Sequence, residues 1–188
     1  MKNFNRIFNI GFNKCGTKTL GKALQMLGFN TVHFKHNGVR LYDIMQSNIR
    51  NGRELLCGIE HYDAFSDFAG QYIFKALDVH YPGSKFILTV RNIDDWLDSR
   101  EAHVLRNRMS SDYQHFFLSV DRDQWTRDYQ QILHEVKNHF FERQDDLLIL
   151  DIPGGDKWEK ICSFTGAEIP ADAFPHENSR LLKSDAGN

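Results

Sequence analysis

The sequence predicts an α/β protein in three layers, a central parallel sheet wrapped by helices. Three observations carry this. Short apolar runs at 6–11, 31–34, 64–68, 85–90 and 147–150 alternate with stretches of helical periodicity, the pattern of parallel strands joined by crossover helices. The run at 85–90, KFILTV, is apolar almost throughout, as suits a strand buried on both faces. The first strand also leads directly into a glycine-bracketed turn, residues 11–16, and then a helix start rich in hydroxyls, Thr17, Lys18 and Thr19.

The elements follow in order. Leu20, Ala23, Leu24 and Leu27 are spaced i, i+3, i+4, i+7 and predict a helix over 17–27, stopped by Gly28. A short strand at 31–34 carries His33 near its end, and Lys35, His36, Asn37 and Gly38 form a basic loop. A helix with Leu41, Ile44, Met45 and Ile49 on one face ends at Asn51-Gly52. After the strand at 64–68, a helix passes through Tyr72, Phe74, Leu77 and Val79, and Tyr81-Pro82-Gly83-Ser84 turns the chain into the strand that ends on Arg91. Asn92 caps the next helix, with Asp94 and Asp95 in its first turn. Residues 106–121 read as irregular or helical. Trp125, Tyr129, Ile132, Leu133, Val136 and Phe140 mark a long amphipathic helix. Behind the last strand, Gly154-Gly155 turns into a helix with Trp158, Ile161, Cys162 and Phe164. The 188 residues are expected to form one domain, with a polar, proline-punctuated tail from about 167.

Composition narrows the function. With 23 basic against 25 acidic residues the net charge is −2, so no global field draws the chain to nucleic acid or an anionic membrane, and any polyanion site must be local. Cys15, Cys57 and Cys162 are odd in number and share no CxxC spacing, which offers neither a disulfide framework nor a zinc signature. The N-terminal stretch has no signal-peptide pattern and no segment reaches membrane-spanning length, so a reducing cytoplasm is the expected location. The 15 Phe point to a phenylalanine-rich core, and Trp96, Trp125 and Trp158, at helical spacings, to core positions.

Gly11, His33, Asp67, Arg91 and Asp151 all fall just after expected strands, and ligands of such sheets sit beyond the strands' carboxyl ends. The strand–loop–helix order at 7–27 is that of a phosphate cradle, where glycines turn backbone N–H groups inward and a helix N-terminus adds partial positive charge. Its register is wrong for a Walker A motif, G-x-x-x-x-G-K-[ST]. Thr17 stands where the lysine belongs, and Lys14 sits inside the loop. Asp151 is the one contender for a Walker B aspartate, which disfavours a nucleotide kinase or other P-loop triphosphatase without removing it.

The loop resembles the 5′-phosphosulfate-binding loop of sulfotransferases, G-x-x-K-x-G-T-x-[ST]-L. Gly11, Lys14, Gly16, Thr17, Thr19 and Leu20 fill its fixed positions. A second element of that family, an arginine at the end of a buried strand and a serine eight residues on, matches Arg91 and Ser99. The segments YDAFSDF, YPGSKFILTVRNIDDWLDS and FPHEN are similar to small bacterial sulfotransferase-like proteins. The resemblance implies a P-loop NTPase-like fold and a sulfuryl group moved from 3′-phosphoadenosine 5′-phosphosulfate (PAPS) to a hydroxyl or amine of a small-molecule or sugar acceptor. The product is adenosine 3′,5′-bisphosphate (PAP), and no metal is required. It assigns Asn13, Lys14, Cys15, Gly16, Thr17, Lys18 and Thr19 to the 5′ side and Arg91 and Ser99 to the 3′-phosphate. Lys18 and Cys15 depart from the common pattern. The basic C-terminal R-K-G element of cytosolic sulfotransferases has no match, Arg180 and Lys183 being the nearest residues.

For the chemistry, Lys14 is expected to stabilise the leaving phosphate. His33 is expected to act as base: it stands at the end of the short strand after the first helix, where the resemblance to sulfotransferases implies a catalytic His or Glu. An unperturbed pKa of about 6.5 suits proton transfer; Asp67, His36 and then Glu60 stand behind it. Cys15, beside a helix N-terminus, is in a setting that can lower a thiol pKa, but a C-x5-R phosphatase loop would need arginine where Gly21 stands. Residues 34–62 and 101–122 are expected to shape the acceptor pocket, whose code the sequence does not carry; nor does it encode an oligomeric state. A non-catalytic nucleotide-binding relative is the remaining alternative.

Overall fold

The computed structural model describes residues 4–110 and 117–177. Among them the elements run β1 (Ile7–Asn9), α1 (Thr17–Met26), β2 (Thr31–His33), β3 (Lys35–His36), β4 (Val39–Arg40), α2 (Leu41–Arg50), β5 (Ala64–Ser66), α3 (Phe74–His80), β6 (Lys85–Thr89), α4 (Ile93–Arg108), α5 (Arg122–His139), β7 (Leu147–Leu150) and α6 (Trp158–Thr165). Five strands form one parallel sheet in the order β2-β5-β1-β6-β7. The expected three-layer α/β fold is the fold observed.

The layers follow from the two-residue period of a strand, which sends neighbouring side chains to opposite faces. Phe8, Phe65, Phe86 and Leu88 pack with Leu41 and Met45 of α2, Phe74 and Leu77 of α3, Trp96 of α4, and Trp125, Tyr129 and Val136 of α5. Ile7, Ala64, Ile87 and Leu150 pack on the other face with Leu20 and Leu24 of α1 and Trp158 and Ile161 of α6. The first face is built on phenylalanine: Phe8 lies 5.5 Å from both Phe65 and Phe86, ring centre to ring centre, and Phe86 lies 4.8 Å from Phe140. Trp96, Trp125 and Trp158 are all buried.

Where elements end differently, a local interaction explains it. Helix α1 stops through Gly28, at φ 86°, with Phe29 N–H donating to Leu24 O and Gly28 N–H to Gln25 O, the paired bonds of a Schellman cap. The expected basic loop at 35–38 is instead a hairpin of β3 and β4, because Asn37 and Gly38 both take positive φ, 48° and 81°, and close a two-residue turn. On α2 the buried residues are Leu41, Met45 and Asn48, while Ile49 is exposed; the Asn48 amide donates to Leu55 O and Cys57 O and so holds the loop after the helix. Tyr72 lies in a short 3-10 turn before α3. Helix α4 continues to Arg108, so the start of the 106–121 stretch is helical, and 111–116 lie outside the described residues. The Arg180 and Lys183 positions and the end of FPHEN also lie outside them.

Candidate functional site

A polar network lies under the loop, across the carboxyl ends of three adjacent strands. Asn9 of β1 donates through Nδ2 to Ser66 Oγ of β5 (2.9 Å) and accepts at Oδ1 from Thr89 Oγ1 of β6 (3.1 Å) and from Gly11 N–H (3.1 Å). Ser66 Oγ donates in turn to Thr17 O (3.0 Å). All three side chains are buried, so the loop rests on a satisfied network in a low-dielectric setting, where such bonds are stiff. Gly11 is required by contact: a Cβ there would lie 2.0 Å from Thr89 Oγ1 and 2.4 Å from Thr89 O.

The loop is clamped from the side by residues on and after β6. Arg91 Nη1 reaches Lys14 O at 3.4 Å, Trp96 Nε1 donates to Asn13 O at 2.9 Å, and Arg100 Nη1 donates to Asn13 Oδ1 at 3.0 Å. Tyr129 of α5 fixes the Arg91 backbone, its hydroxyl accepting from Arg91 N–H (3.0 Å) and donating to Arg91 O (2.9 Å); burial pushes that phenol up to about 12. Lys14 takes a left-handed backbone, φ 68°, and Gly16, the N-cap of α1, has φ 84° with no side-chain cap. The first turn of α1 therefore meets the loop without a side-chain oxygen at its cap.

On the other side of the loop, His33 Nε2 lies 3.7 Å from Asp67 Oδ2 and 3.5 Å from Thr17 Oγ1. Burial lowers the His33 pKa, opposed by the Asp67 charge and reinforced by Lys18. Burial raises the Asp67 carboxyl, with His33 and then Lys14 opposing. Both side chains keep a little under a third of their surface exposed. Asp67, like Lys14, holds a positive φ, 56°.

Of the residues singled out in the sequence, Asn13, Lys14, Thr17, His33, Asp67 and Arg91 are thus linked at one end of the sheet. Thr19 and Lys18, on the first turn of α1, meet the C-terminal segment: Glu177 N–H donates to Thr19 Oγ1 (3.2 Å), and Lys18 Nζ pairs with Glu177 Oε2 at 3.1 Å. Ser99 lies half-buried on α4, one residue before Arg100. Three expectations change. Cys15 is buried and its thiol is raised to about 12 by burial, which outweighs the nearby Arg91 charge, so the helix N-terminus does not activate it. His36 turns away with the hairpin, its Nδ1 2.9 Å from Tyr62 Oη and its Nε2 3.0 Å from Asn37 Nδ2. Glu60 is exposed and precedes β5, at the end of that strand opposite Asp67.

Asn9, Ser66, Thr89, Trp96, Arg100 and Tyr129 were not singled out as site residues. Asn9 and Thr89 had a signal, as polar residues inside otherwise apolar strand runs. Tyr129 and Trp96 had none, since helical periodicity assigned them to the core, where they do lie. Asp151 Oδ1 accepts Gly154 N–H at 2.8 Å and closes its own turn. Among the described residues no group of three or more His, Cys, Asp or Glu side chains is arranged to hold a metal ion, and no helix is long and apolar enough to cross a membrane.

Comparison with curated proteins finds no match. A family model described as a sulfotransferase domain matches residues 6–147 and 121–181, the span that carries the loop, the His33–Asp67 pair and Arg91, and the chain belongs to that sulfotransferase family.

Proposed function

We propose that the protein moves a sulfuryl group from PAPS to a hydroxyl or amine of a small-molecule or sugar acceptor. The observation that carries this reading is the convergence of the Lys14 loop and Arg91 at the ends of adjacent strands, Arg91 Nη1 lying 3.4 Å from Lys14 O. Among the described residues the buried Nε of Arg91 has no hydrogen-bond partner, which fits a forked cation that takes a phosphate. In this reading Asn13, Cys15, Gly16, Thr17, Lys18 and Thr19 surround the 5′-phosphosulfate, and Arg91 with Ser99 takes the 3′-phosphate.

Transfer is an in-line displacement. The acceptor oxygen or nitrogen forms a bond to sulfur while the bond from sulfur to the 5′-phosphate oxygen breaks, leaving PAP. Lys14 neutralises the charge that develops on that oxygen. His33, neutral because burial lowers its pKa, takes the acceptor's proton, and Asp67 stabilises the resulting imidazolium. We read residues 1–188 as one domain with a polar tail from about 167, working in a reducing cytoplasm where Cys15, Cys57 and Cys162, free in the structure, stay thiols. A triphosphatase fits less well, since Asp151 closes a turn and β7 lies two strands from β1.

Titration calorimetry with PAP tests the reading. Wild type should bind. Arg91→Ala removes a charge-assisted contact of about 1.5–3 kcal/mol, so its Kd should rise roughly 10- to 150-fold. Absence of PAP binding by wild type would overturn the proposal. Binding without labelled-sulfate transfer to any alcohol, phenol, amine or sugar would favour a non-catalytic relative.

A further inference from the structure

We propose that Arg100 is a positioning residue for the phosphosulfate loop, acting through Asn13; the assignment rests on the PAPS reading above. Its guanidinium carbon lies 5.1 Å from the ring centre of Trp96, 4.7 Å from that of Phe117 and 4.6 Å from that of Trp125. Three rings from α4, α5 and the segment between them therefore surround one cation. Its Nε is buried with no hydrogen-bond partner among the described residues, and Nη1 donates to Asn13 Oδ1 at 3.0 Å. A side chain already immobilised by packing loses little further entropy in making that bond. The bond thus works as a strut from the aromatic box to the loop.

Asn13 is consequently held at two points, its side chain by Arg100 and its carbonyl by the Trp96 indole, while the next carbonyl, Lys14 O, is held by Arg91. The peptide bonds are planar and trans, so carbonyls drawn toward α4 and the end of β6 turn the following N–H groups, of Lys14 and Cys15, to the opposite side of the loop. That orientation is what an anion-binding loop needs. It also anchors the residue from which Lys14 departs into its left-handed backbone, φ 68°. Arg100 directly follows Ser99 on α4, so one helix carries both the strut and, in the PAPS reading, the serine of the 3′-phosphate.

The test is a double-mutant cycle on PAP affinity, read by calorimetry, with a thermal melt on each protein. Arg100→Lys keeps the charge but loses the planar fork, and Asn13→Ala removes its partner. Each should weaken PAP binding roughly tenfold, and the double variant should bind no worse than either single one. A general packing defect would add in the double variant. In turnover, kcat should fall with the acceptor's KM unchanged. Full additivity, or single variants that bind PAP as wild type does, overturns the proposal while leaving the PAPS reading standing. A wild type that does not bind PAP overturns both. Should Arg100→Lys fail to fold, wild-type affinity in Asn13→Ala alone refutes the strut; weakened affinity there that Asn13→Gln, which keeps a neutral amide oxygen, restores at least in part supports it, and no restoration refutes it.

Discussion

His33 sits between two opposed influences. Burial and the Lys18 charge hold its pKa below 6.5, and Asp67 pulls it up, with the first the largest. The sign of the consequence is fixed. A base whose pKa is lowered from 6.5 is predominantly neutral at pH 7 and above, so kcat/KM should hold level on the alkaline side of neutrality and decline as pH falls through the lowered value. A pH–rate profile checks this, and His33→Gln should lose that acid limb together with roughly 10²–10⁴-fold in rate. Retention of the limb in His33→Gln would transfer the base role to Asp67. The same scale holds the strain of the site. Lys14 and Asp67 both take left-handed backbones, which cost an L-residue about 1–2 kcal/mol each. For Lys14, the neighbouring carbonyl bonds from Trp96 and Arg91 offset that cost.

At the scale of elements, α4 matters most, because one helix brings both Trp96 and Arg100 onto Asn13 of the loop. Its start is fixed by Asn92, whose side chain accepts from Asp94 N–H (3.0 Å) and Asp95 N–H (3.2 Å), with the two aspartates favourably placed at the positive end of the helix. Asn92→Ala should lower unfolding free energy by about 1 kcal/mol, measured by urea denaturation; an unchanged midpoint would show that the first turn is held by packing instead. This cap was legible in the sequence, as was the glycine stop of α1, because both depend on residues within a few positions of one another. The hairpin at 35–40 carried an equally local Asn-Gly signal, which the basic character of the segment obscured. The exposure of Ile49 and burial of Asn48 were not legible, since they depend on where the 51–57 loop passes over α2. The same divide runs through the site. Lys14 and Arg91 stand in recognisable local patterns, whereas Arg100 and Tyr129 gain their roles only from the packing of α4 and α5.

For the whole molecule, the strand order explains why distant segments meet. From β1 the chain goes first to one side, through β2 and β5, and then to the other, through β6 and β7, so the order reverses around β1, and a crevice for ligand opens at such a reversal. Asn9 is the residue that ties both directions together, since it bonds β5 through Ser66 and β6 through Thr89 while receiving Gly11 N–H. Asn9→Ala should therefore act on the fold and on the loop together. It leaves buried polar groups on three segments short of a partner, each at about 1–3 kcal/mol. Part of that cost will be relieved by water or by small shifts, so the observed loss should be of the order of one such group or more. Urea denaturation measures it, and PAP affinity should fall in the same variant even under conditions where it remains folded, because Gly11 no longer has its anchor. Wild-type stability in Asn9→Ala would mean that backbone pairing alone fixes the three strand ends. A loss of stability without loss of PAP affinity would separate the sheet from the loop and confine Asn9 to holding the strands.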